Sequence, residues 1–136
     1  MTPCVAVDLP VRRDERGALG FAQVGAQLPF PAARMFHLFD LRGGVARGGH
    51  AHRRCHQFLV AMSGEFAVTT DDGRSKREWS LDSPARGLHV PPGHWVDLTP
   101  RADGAVLVVL ASETYDEADY IRDRATFESH ANSSAR

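Results

Sequence analysis

The sequence predicts an all-β domain: an antiparallel β-barrel or jelly roll, followed by a short C-terminal arm or helix. Three observations lead to this fold class. Short segments of apolar and β-branched residues recur at the spacing typical of a sandwich or barrel. Turn-forming Asp, Gly and Pro residues separate these segments. No helical periodicity of comparable length occurs before the C-terminal tail.

The predicted strands follow one another along most of the chain. They are Cys4–Leu9, Leu19–Val24, Arg34–Leu41, Gln57–Met62, Glu65–Thr70, Arg77–Leu81, Gly87–Val90, Val96–Thr99 and Ala105–Ala111. Ser63-Gly64 predicts a tight hairpin between the fourth and fifth of them. The tail over residues 113–131 predicts a short helix or an ordered arm. We expect disorder from about residue 130 to residue 136.

Length and composition indicate a single domain over residues 1–136, with 43% hydrophobic and 24% charged residues. The formal net charge of -1 offers no general attraction to nucleic acid or to a membrane surface, so neither partner is expected. Cys4 and Cys55 are expected to be free thiols. The longest apolar run is too short for a membrane span, and no signal peptide is apparent, which favours a cytoplasmic protein.

Two predicted strands are apolar on both faces: FLVAM over residues 58–62 and VLVVLA over residues 106–111. A strand of an antiparallel sandwich usually alternates, because one of its faces meets water. Burial of both faces would follow if a second subunit covered the outer face of the sheet. We therefore expect a homodimer.

The segment RGGHAH, residues 47–52, places two imidazoles two positions apart. In a strand, His50 and His52 project from the same face, with Cα atoms roughly 6.5–7 Å apart. Imidazoles inside a β-fold are costly unless they have partners or a chemical role. The pattern favours a functional pair. The alternative is one hydrogen-bonded core histidine and one surface histidine.

The pattern around this pair resembles the first motif of the cupin superfamily, G-x5-H-x-H-x3,4-E-x6-G. The matching positions are Gly44, His50, His52 and Gly64, whereas Gln57 stands in place of the glutamate. The second cupin motif is matched loosely by Gly87, Pro91 and Gly93, and Val96 stands where a histidine is required.

These departures predict that the site binds no metal. Two of the four ligands of a cupin metal centre are replaced, and two histidines alone seldom hold a catalytic divalent ion. His94 is close in sequence, and His56 has the opposite strand parity to Gln57, so His56 should face away. The imidazole pKa of about 6.5 suits a histidine pair to proton transfer near neutral pH.

Four longer stretches resemble the nucleotide-sugar 3,4-ketoisomerases. They are DERGAL, RGGHAHRRCHQFLVAMSGEFAVTTDDG, LDSPARGLHVPPGHW and VLVVLASETYDEADYIRD. The resemblance covers essentially residues 8–127. The closing YDEADYIRD is similar to this group rather than to cupins at large.

The resemblance implies an isomerase that needs no cofactor. It would convert dTDP-4-keto-6-deoxy-D-glucose to a dTDP-3-keto-6-deoxyhexose in deoxyamino-sugar biosynthesis. By position, His50 would carry protons between C3 and C4, and His52 would assist or stabilise the enediolate. Arg16 and Arg47 are the candidates for the pyrophosphate. Trp95 is a candidate for stacking on sugar or base, and Gln57 for a hydrogen bond to a sugar hydroxyl.

The sequence also departs from this family. His37 stands where the family commonly has tyrosine, and Val96 where it commonly has histidine. Because His37 shares strand parity with Met35 and Phe39, an inward orientation would let a third imidazole contact the sugar. Tyr120 and Arg122 are expected to pin the C-terminal arm, and Asp116 and Glu117 to form a solvated face.

Three other functions fit parts of the pattern. A 3,5-epimerase of the same nucleotide sugar would need a carboxylate-oriented histidine and an active-site tyrosine, neither of which the sequence alone places. A non-enzymatic cupin would bind a sugar without hydrogen exchange. A metal-dependent cupin oxygenase would need the ligands that are missing here.

Overall fold

The structure is a computed structural model that describes residues 2–134. Its strands are β1 (Val5–Asp8), β2 (Val11–Asp14), β3 (Gly17–Gly20), β4 (Arg34–Leu38), β5 (Arg47–His52), β6 (Gln57–Ser63), β7 (Phe66–Asp71), β8 (Lys76–Leu81), β9 (Arg86–Val90), β10 (Trp95–Pro100), β11 (Val106–Ala111) and β12 (Tyr120–Ile121). A 3-10 turn over Glu117–Asp119 precedes β12, and one α-helix, α1 (Arg124–Ser134), follows it.

Ten of these strands form two five-stranded antiparallel sheets that pack face to face, and β2 and β3 pair as a separate hairpin. The β4 sheet has the order β1-β9-β6-β11-β4, and the β5 sheet has the order β12-β5-β10-β7-β8. Their facing side chains share one core, to which Leu59 and Leu107 contribute from the β4 sheet and Val68 and Leu98 from the β5 sheet. The prediction of an all-β jelly roll with a short C-terminal helix is confirmed. Over the described residues the two sheets do not close into a barrel.

Residues paired directly across antiparallel strands point to the same face of a sheet. The strand register therefore divides the inner face of the β4 sheet into rows. From β4 through β11 to β6, these rows are Arg34–Ala111–Gln57, Phe36–Val109–Leu59 and Leu38–Leu107–Ala61. Only the first row carries polar side chains, and it lies at the end of β6 nearest to the β5–β6 connection.

The outer face of the β4 sheet is covered in part by the chain itself. Leu28 and Phe30 pack over Phe58 and Val60, which explains why β6 is apolar on both faces. Met35, at the other edge, remains 57% exposed. Burial by a second subunit is thus not required for the centre of this face, but the β4 edge stays open.

The predicted strands agree with the structure except near the N-terminus. The hairpin predicted at Ser63-Gly64 is wrong, because β6 and β7 lie in different sheets and do not pair. Gly64, at φ 73°, instead turns the chain from the β4 sheet into the β5 sheet. The strand predicted at Leu19–Val24 is wrong in extent, because the observed hairpin joins Val11–Asp14 to Gly17–Gly20. All eight residues of that hairpin are exposed, so they lack the alternating burial that would have marked them.

The C-terminal helix extends further than the sequence indicated. Residues 130–134, where disorder was expected, belong to α1, whose Phe127 is fully buried against Ala51 and Ile121. Residues 135 and 136 lie outside the described part of the chain. Cys4 and Cys55 are free, as predicted, and both are buried. Among the described residues, no helix has both the length and the apolar character needed to cross a bilayer.

Candidate active site

The paired glycines of RGGHAH form a bulge in β5. His50 pairs with Val96 and Gly48 pairs with Asp97, so Gly49 is the extra residue of the ladder. Gly48 has a φ of 94°, and a Cβ at this position would lie 2.7 Å from the Val96 carbonyl oxygen. Only glycine meets both conditions without strain. The extra residue turns Arg47 and His50 to the same face, although they are three positions apart.

That face borders a cavity of about 190 Å³ between the two sheets. Pockets for drug-sized ligands are usually larger, roughly 300–1,000 Å³, so this one suits a single ring rather than a whole nucleotide sugar. The lining residues are Phe36, Leu38, Arg47, Gly48, His50, Gln57, Leu59, Val96, Leu98, Leu107, Val109, Tyr120 and Arg122. The polar groups lie mainly on β5 and β12, whereas β4, β6 and β11 supply hydrocarbon and the Gln57 amide.

His50 and His52 project together, as their spacing predicts. Their ring centroids are 5.2 Å apart and the rings are perpendicular. The Tyr120 ring lies 5.2 Å from His50 and 4.4 Å from His52, because β12 pairs with β5 and sets Tyr120 opposite His52. His50 and Tyr120 line the cavity, and His52 lies directly behind them.

A buried carboxylate orients His52. Its Nδ1 lies 2.9 Å from Asp119 Oδ2, and both side chains are almost fully buried. Asp119 also accepts hydrogen bonds from the backbone N–H groups of Arg54 and Cys55. With Nδ1–H donating to Asp119, the lone pair of His52 lies on Nε2. This nitrogen is buried and has no hydrogen-bond partner among the described residues.

The protein keeps both imidazoles neutral near pH 7. Burial, assisted by the neighbouring His52 and Arg122, lowers the pKa of His50 to about 4. Burial also lowers the pKa of His52, against the opposing effect of Asp119. Desolvation opposes ionisation of Asp119, but its hydrogen bonds from His52 and Arg54 leave the pKa of this carboxyl below its usual value. Both imidazoles are therefore in the unprotonated form that can accept a proton.

A polar network borders the cavity at the C-terminal end of the chain. Arg122 donates to Glu117 at 2.6 and 3.1 Å, and its guanidinium lies 4.3 Å from the centroid of the Tyr120 ring. Tyr115 donates to the same carboxylate at 2.5 Å. The hydrogen bonds from Arg122 and Tyr115 lower the pKa of Glu117 to about 2. Glu117 is exposed, as expected, but it also holds a residue of the cavity wall.

The four positions that would ligate a cupin metal do not form a metal centre. His50 and Gln57 line the cavity with Val96, whose hydrocarbon side chain cannot act as a ligand. Within residues 2–134, one other group of potential ligands lies together, formed by His52, Cys55 and Asp119. Its carboxylate already accepts the three hydrogen bonds described above. The predicted outward orientation of His56 is confirmed by its 3.0 Å contact with His89.

The structure separates the residues that were predicted to bind substrate. Arg47 and Gln57 line the cavity. His37 does not: it is exposed with Met35 on the outer face of β4, and the inward positions are Phe36 and Leu38. The inward parity assumed for His37 was wrong because apolar Met35 and Phe39 lie on the outer face.

Trp95 and Arg16 also lie away from the cavity. Trp95 packs against Phe127 of α1, with ring centroids 5.6 Å apart, so in this chain it anchors the helix. Arg16, at the tip of the exposed β2–β3 hairpin, forms a 2.7 Å ion pair with Asp14. Neither side chain borders the cavity that contains His50.

Sequence reasoning missed three residues of the site. Tyr120 and Arg122 line the cavity instead of only pinning the arm, and Asp119 orients His52. The signal available was the dipeptide Asp119-Tyr120, a carboxylate next to a phenol. Its placement beside His52 depends on β12, a strand of two residues that no periodicity reveals.

The chain is similar to proteins of one enzyme family. Residues 3–132 match the family FdtA, WxcM-like, C-terminal. A TDP-4-oxo-6-deoxy-alpha-D-glucose-3,4-oxoisomerase from Aneurinibacillus thermoaerophilus is 40% identical over 117 residues, which cover 86% of this chain and 84% of the relative.

Two solved structures have nearly the same fold. A 3,4-ketoisomerase from Helicobacter canadensis superposes with a TM-score of 0.93 at 30% identity, covering 97% of this chain and 99% of that one. QdtA, a sugar 3,4-ketoisomerase from Thermoanaerobacterium thermosaccharolyticum in complex with TDP, gives a TM-score of 0.92 at 27% identity, covering 96% of each chain.

Proposed function

From the premise that this chain belongs to the FdtA family of sugar 3,4-ketoisomerases, we propose that it isomerises TDP-4-keto-6-deoxy-D-glucose to a TDP-3-keto-6-deoxyhexose. The relatives support this substrate. One is named for TDP-4-oxo-6-deoxyglucose, and QdtA has been solved with TDP and, as a variant, with TDP-4-keto-6-deoxyglucose. The product would serve deoxyamino-sugar biosynthesis.

The observation that carries the proposal is the one-sided placement of proton-carrying groups. His50 and Tyr120 line the cavity from β5 and β12, and His52 lies behind them. The facing side chains are Phe36, Leu59, Leu107 and Val109, which exchange no protons. A sugar ring held between these walls can lose and regain a proton on one face only. A 3,4-ketoisomerisation by one shared base requires that the proton leaves C3 and arrives at C4 on the same face of the sugar.

The chemistry follows from neutral imidazoles. His50 removes the proton from C3, and the C–H electron pair forms the C3–C4 double bond of an enediolate with its charge on O4. His50 then returns the proton to C4, while the C3 hydroxyl loses its proton and becomes the ketone. Tyr120 can pass the proton of the C3 hydroxyl on to O4, which becomes the C4 hydroxyl, and the His52–Asp119 pair assists by holding that proton at Nε2 in transit.

Binding of the nucleotide is assigned to the cavity mouth. Arg47 and Arg122 border the cavity and are exposed, so their guanidinium groups can meet a diphosphate. Gln57 is suited to a hydrogen bond with a sugar hydroxyl. Because Arg16 lies on a hairpin away from this cavity, a role in phosphate binding would require the hairpin to reach a second copy of the chain.

We also propose that the protein is a cytoplasmic homodimer. Apolar side chains remain exposed on the hairpin at Leu19 and on the β4 edge at Met35 and Phe39. The pairing of exposed apolar surfaces from two copies would bury these groups. Sedimentation of a monomer at micromolar concentration would contradict this part of the proposal.

The 3,5-epimerase is the second candidate, since the site contains both a carboxylate-oriented histidine and a tyrosine. Inversion at a carbon requires proton removal and delivery on opposite faces. Here Tyr120 and both histidines share one wall. The geometry therefore favours isomerisation over epimerisation.

The deciding experiment is NMR of TDP-4-keto-6-deoxyglucose in deuterated water with EDTA-treated protein. We expect the 3-keto product, with any deuterium confined to C4 of that product and to C3 of the recovered substrate. Deuterium at C5 would identify an epimerase, and tight binding without exchange would identify a non-enzymatic sugar-binding protein. Activity that disappears with EDTA and returns with a metal would contradict the metal-free site.

A further inference from the structure

Arg34 is an inward-facing cation for which neither the fold nor the mechanism above accounts. It belongs to the same row as Ala111 and Gln57, and Gln57 lines the cavity. Arg34 is not one of the residues that line the cavity, but its β4 neighbours Phe36 and Leu38 are. The alternation along β4 therefore directs Arg34 towards the space between the sheets, at the end of the cavity marked by Gln57.

The guanidinium is held by aromatic faces and not by a carboxylate. Its Cζ lies 5.4 Å from the centroid of the Phe36 ring and 5.6 Å from that of Tyr115. Arg34 Nε is buried without a hydrogen-bond partner, and no ion pair to Arg34 occurs within residues 2–134. A buried donor without a partner costs about 1–3 kcal/mol. A bound ligand that accepts a hydrogen bond from this N–H group would remove that cost.

The position of the charge indicates which part of a ligand it would meet. The Coulombic effect of Arg34 lowers the pKa of His52, so the guanidinium lies near the buried pair. Arg47 and Arg122 are exposed at the cavity and are available to a diphosphate. The guanidinium of Arg34, whose Nε is buried, is therefore the cation that could bind a negative charge developing on the sugar.

The proposed reaction creates such a charge on O4, and the histidine that is cationic at that stage, His50, must give its proton back to carbon. Both imidazoles are neutral near pH 7, and His50 becomes cationic only while it carries the substrate proton. A fixed guanidinium keeps its charge throughout. Preorganised positive groups aimed at a developing oxyanion are among the strongest contributions to catalysis.

We propose that Arg34 is a further catalytic residue, whose guanidinium binds the negatively charged enediolate oxygen at the end of the cavity nearest to His52 and Gln57. This inference rests on the proposed ketoisomerase function and deepens it. In this assignment the exposed Arg47 and Arg122 bind the diphosphate of the nucleotide, and Arg34 stabilises the enediolate. Gln57, in the same row, provides a neutral hydrogen bond at that end of the cavity.

The test compares R34M with R77M as the control. Arg77 also stacks on an aromatic ring, 4.1 Å above Trp79, but lies away from the cavity. In R34M we expect kcat to fall about 100- to 1,000-fold, as on removal of an oxyanion donor. The affinity for TDP should stay close to wild type, and added guanidinium ion should restore part of the rate. R77M should keep both properties.

Other outcomes would overturn the assignment. A loss of TDP affinity in R34M with kcat intact would place Arg34 on the diphosphate, and an unchanged kcat and affinity would remove it from the site. If R34M does not fold, R34K and R34Q are compared. The proposal requires the charged variant to be faster than the neutral one, and equal rates would refute it.

The wild-type reaction separates this inference from the proposed function. If wild-type protein does not isomerise TDP-4-keto-6-deoxyglucose, the function itself is wrong. NMR titration of the His52 imidazole in R34M gives a readout that needs no turnover. Its pKa should rise when the guanidinium is removed, and an unchanged pKa would show that the charge is not close to His52.

Discussion

The molecule contains two histidine pairs of similar spacing and different surroundings. His50 and His52 have ring centroids 5.2 Å apart, as do His56 and His89. The rings of the first pair are perpendicular, and its Nδ1 partner is Asp119. The rings of the second pair are stacked and hydrogen-bonded to one another at 3.0 Å, beside Phe30.

The comparison shows that neither proximity nor a lowered pKa identifies a catalytic pair. Burial lowers the pKa of His89 to about 4, the same value that it gives His50. The His50–His52 pair differs in its cavity, its carboxylate and its tyrosine. In the His56–His89 pair, one nitrogen of each ring is used in the hydrogen bond between them, and neither ring lines the cavity of His50. The first pair has a free buried acceptor at His52 Nε2.

Substitution of one histidine from each pair is the strongest test of this difference. In H50N we expect kcat to fall about 1,000-fold or more, within the range for loss of a general base. In H89N the rate should stay near wild type, because His89 does not line the cavity. Turnover of the TDP-4-keto sugar followed by NMR measures both. Retained activity in H50N, with TDP binding intact, would refute the role of His50.

Removal of the carboxylate that distinguishes the first pair should have the next largest effect. D119N leaves a side chain of similar shape but removes the charge that fixes the Nδ1–H tautomer of His52. We expect kcat to fall about 100-fold, a loss typical of proton-transfer machinery. The affinity for TDP should change little. An unchanged kcat and pH profile would mean that Asp119 only supports the fold around Arg54 and Cys55.

The tyrosine provides a finer test. Y120F keeps the ring that contacts both imidazoles and removes the hydroxyl. We expect about a 10-fold loss of kcat, since water or His52 can transfer the oxygen-bound proton less efficiently. A matched substitution, Y115F, removes a hydroxyl that donates to Glu117 outside the cavity. Equal losses in the two variants would contradict a direct role for Tyr120.

The smallest expected effect is on stability, and here the two pairs should behave alike. His50 and His89 have folded-state pKa values of about 4, below the unfolded value of about 6.5, so the unfolded chain binds more protons between these limits. Their contribution is present above pH 6.5 and is lost as the pH falls towards 4. Urea unfolding across this window should show falling stability, and H89Q should reduce the slope.

The fold was predictable wherever strands alternate or are strongly apolar. β6, β7 and β11 are buried on at least one face, so hydrophobic residues mark them. The β2–β3 hairpin buries none of its residues, and β12 has only two, so neither carries a periodic signal.

The pairing of His50 and His52 was predictable because residues i and i+2 of a strand lie on one face. Arg47 lies on the same face as His50 because of the bulge at Gly48–Gly49. The placement of Asp119 and Tyr120 was not predictable, since they are more than sixty positions from His52 and only tertiary pairing brings them together. Likewise, the parity of His37 could not be read from its neighbours. Met35 and Phe39 are apolar but exposed, so the sequence pattern of the outer face resembles that of a buried face.

The short pairing between β12 and β5 has a consequence for the order in which the protein matures. During translation, His50 and His52 leave the ribosome long before Asp119 and Tyr120. The two-residue strand β12 can pair with β5 only after the residues beyond 121 have also left the ribosome. Phe127 then secures that docking from α1. A translation product that stops before residue 119 would lack Asp119, Tyr120 and Arg122, so the candidate site is completed only after residue 122 has been synthesised.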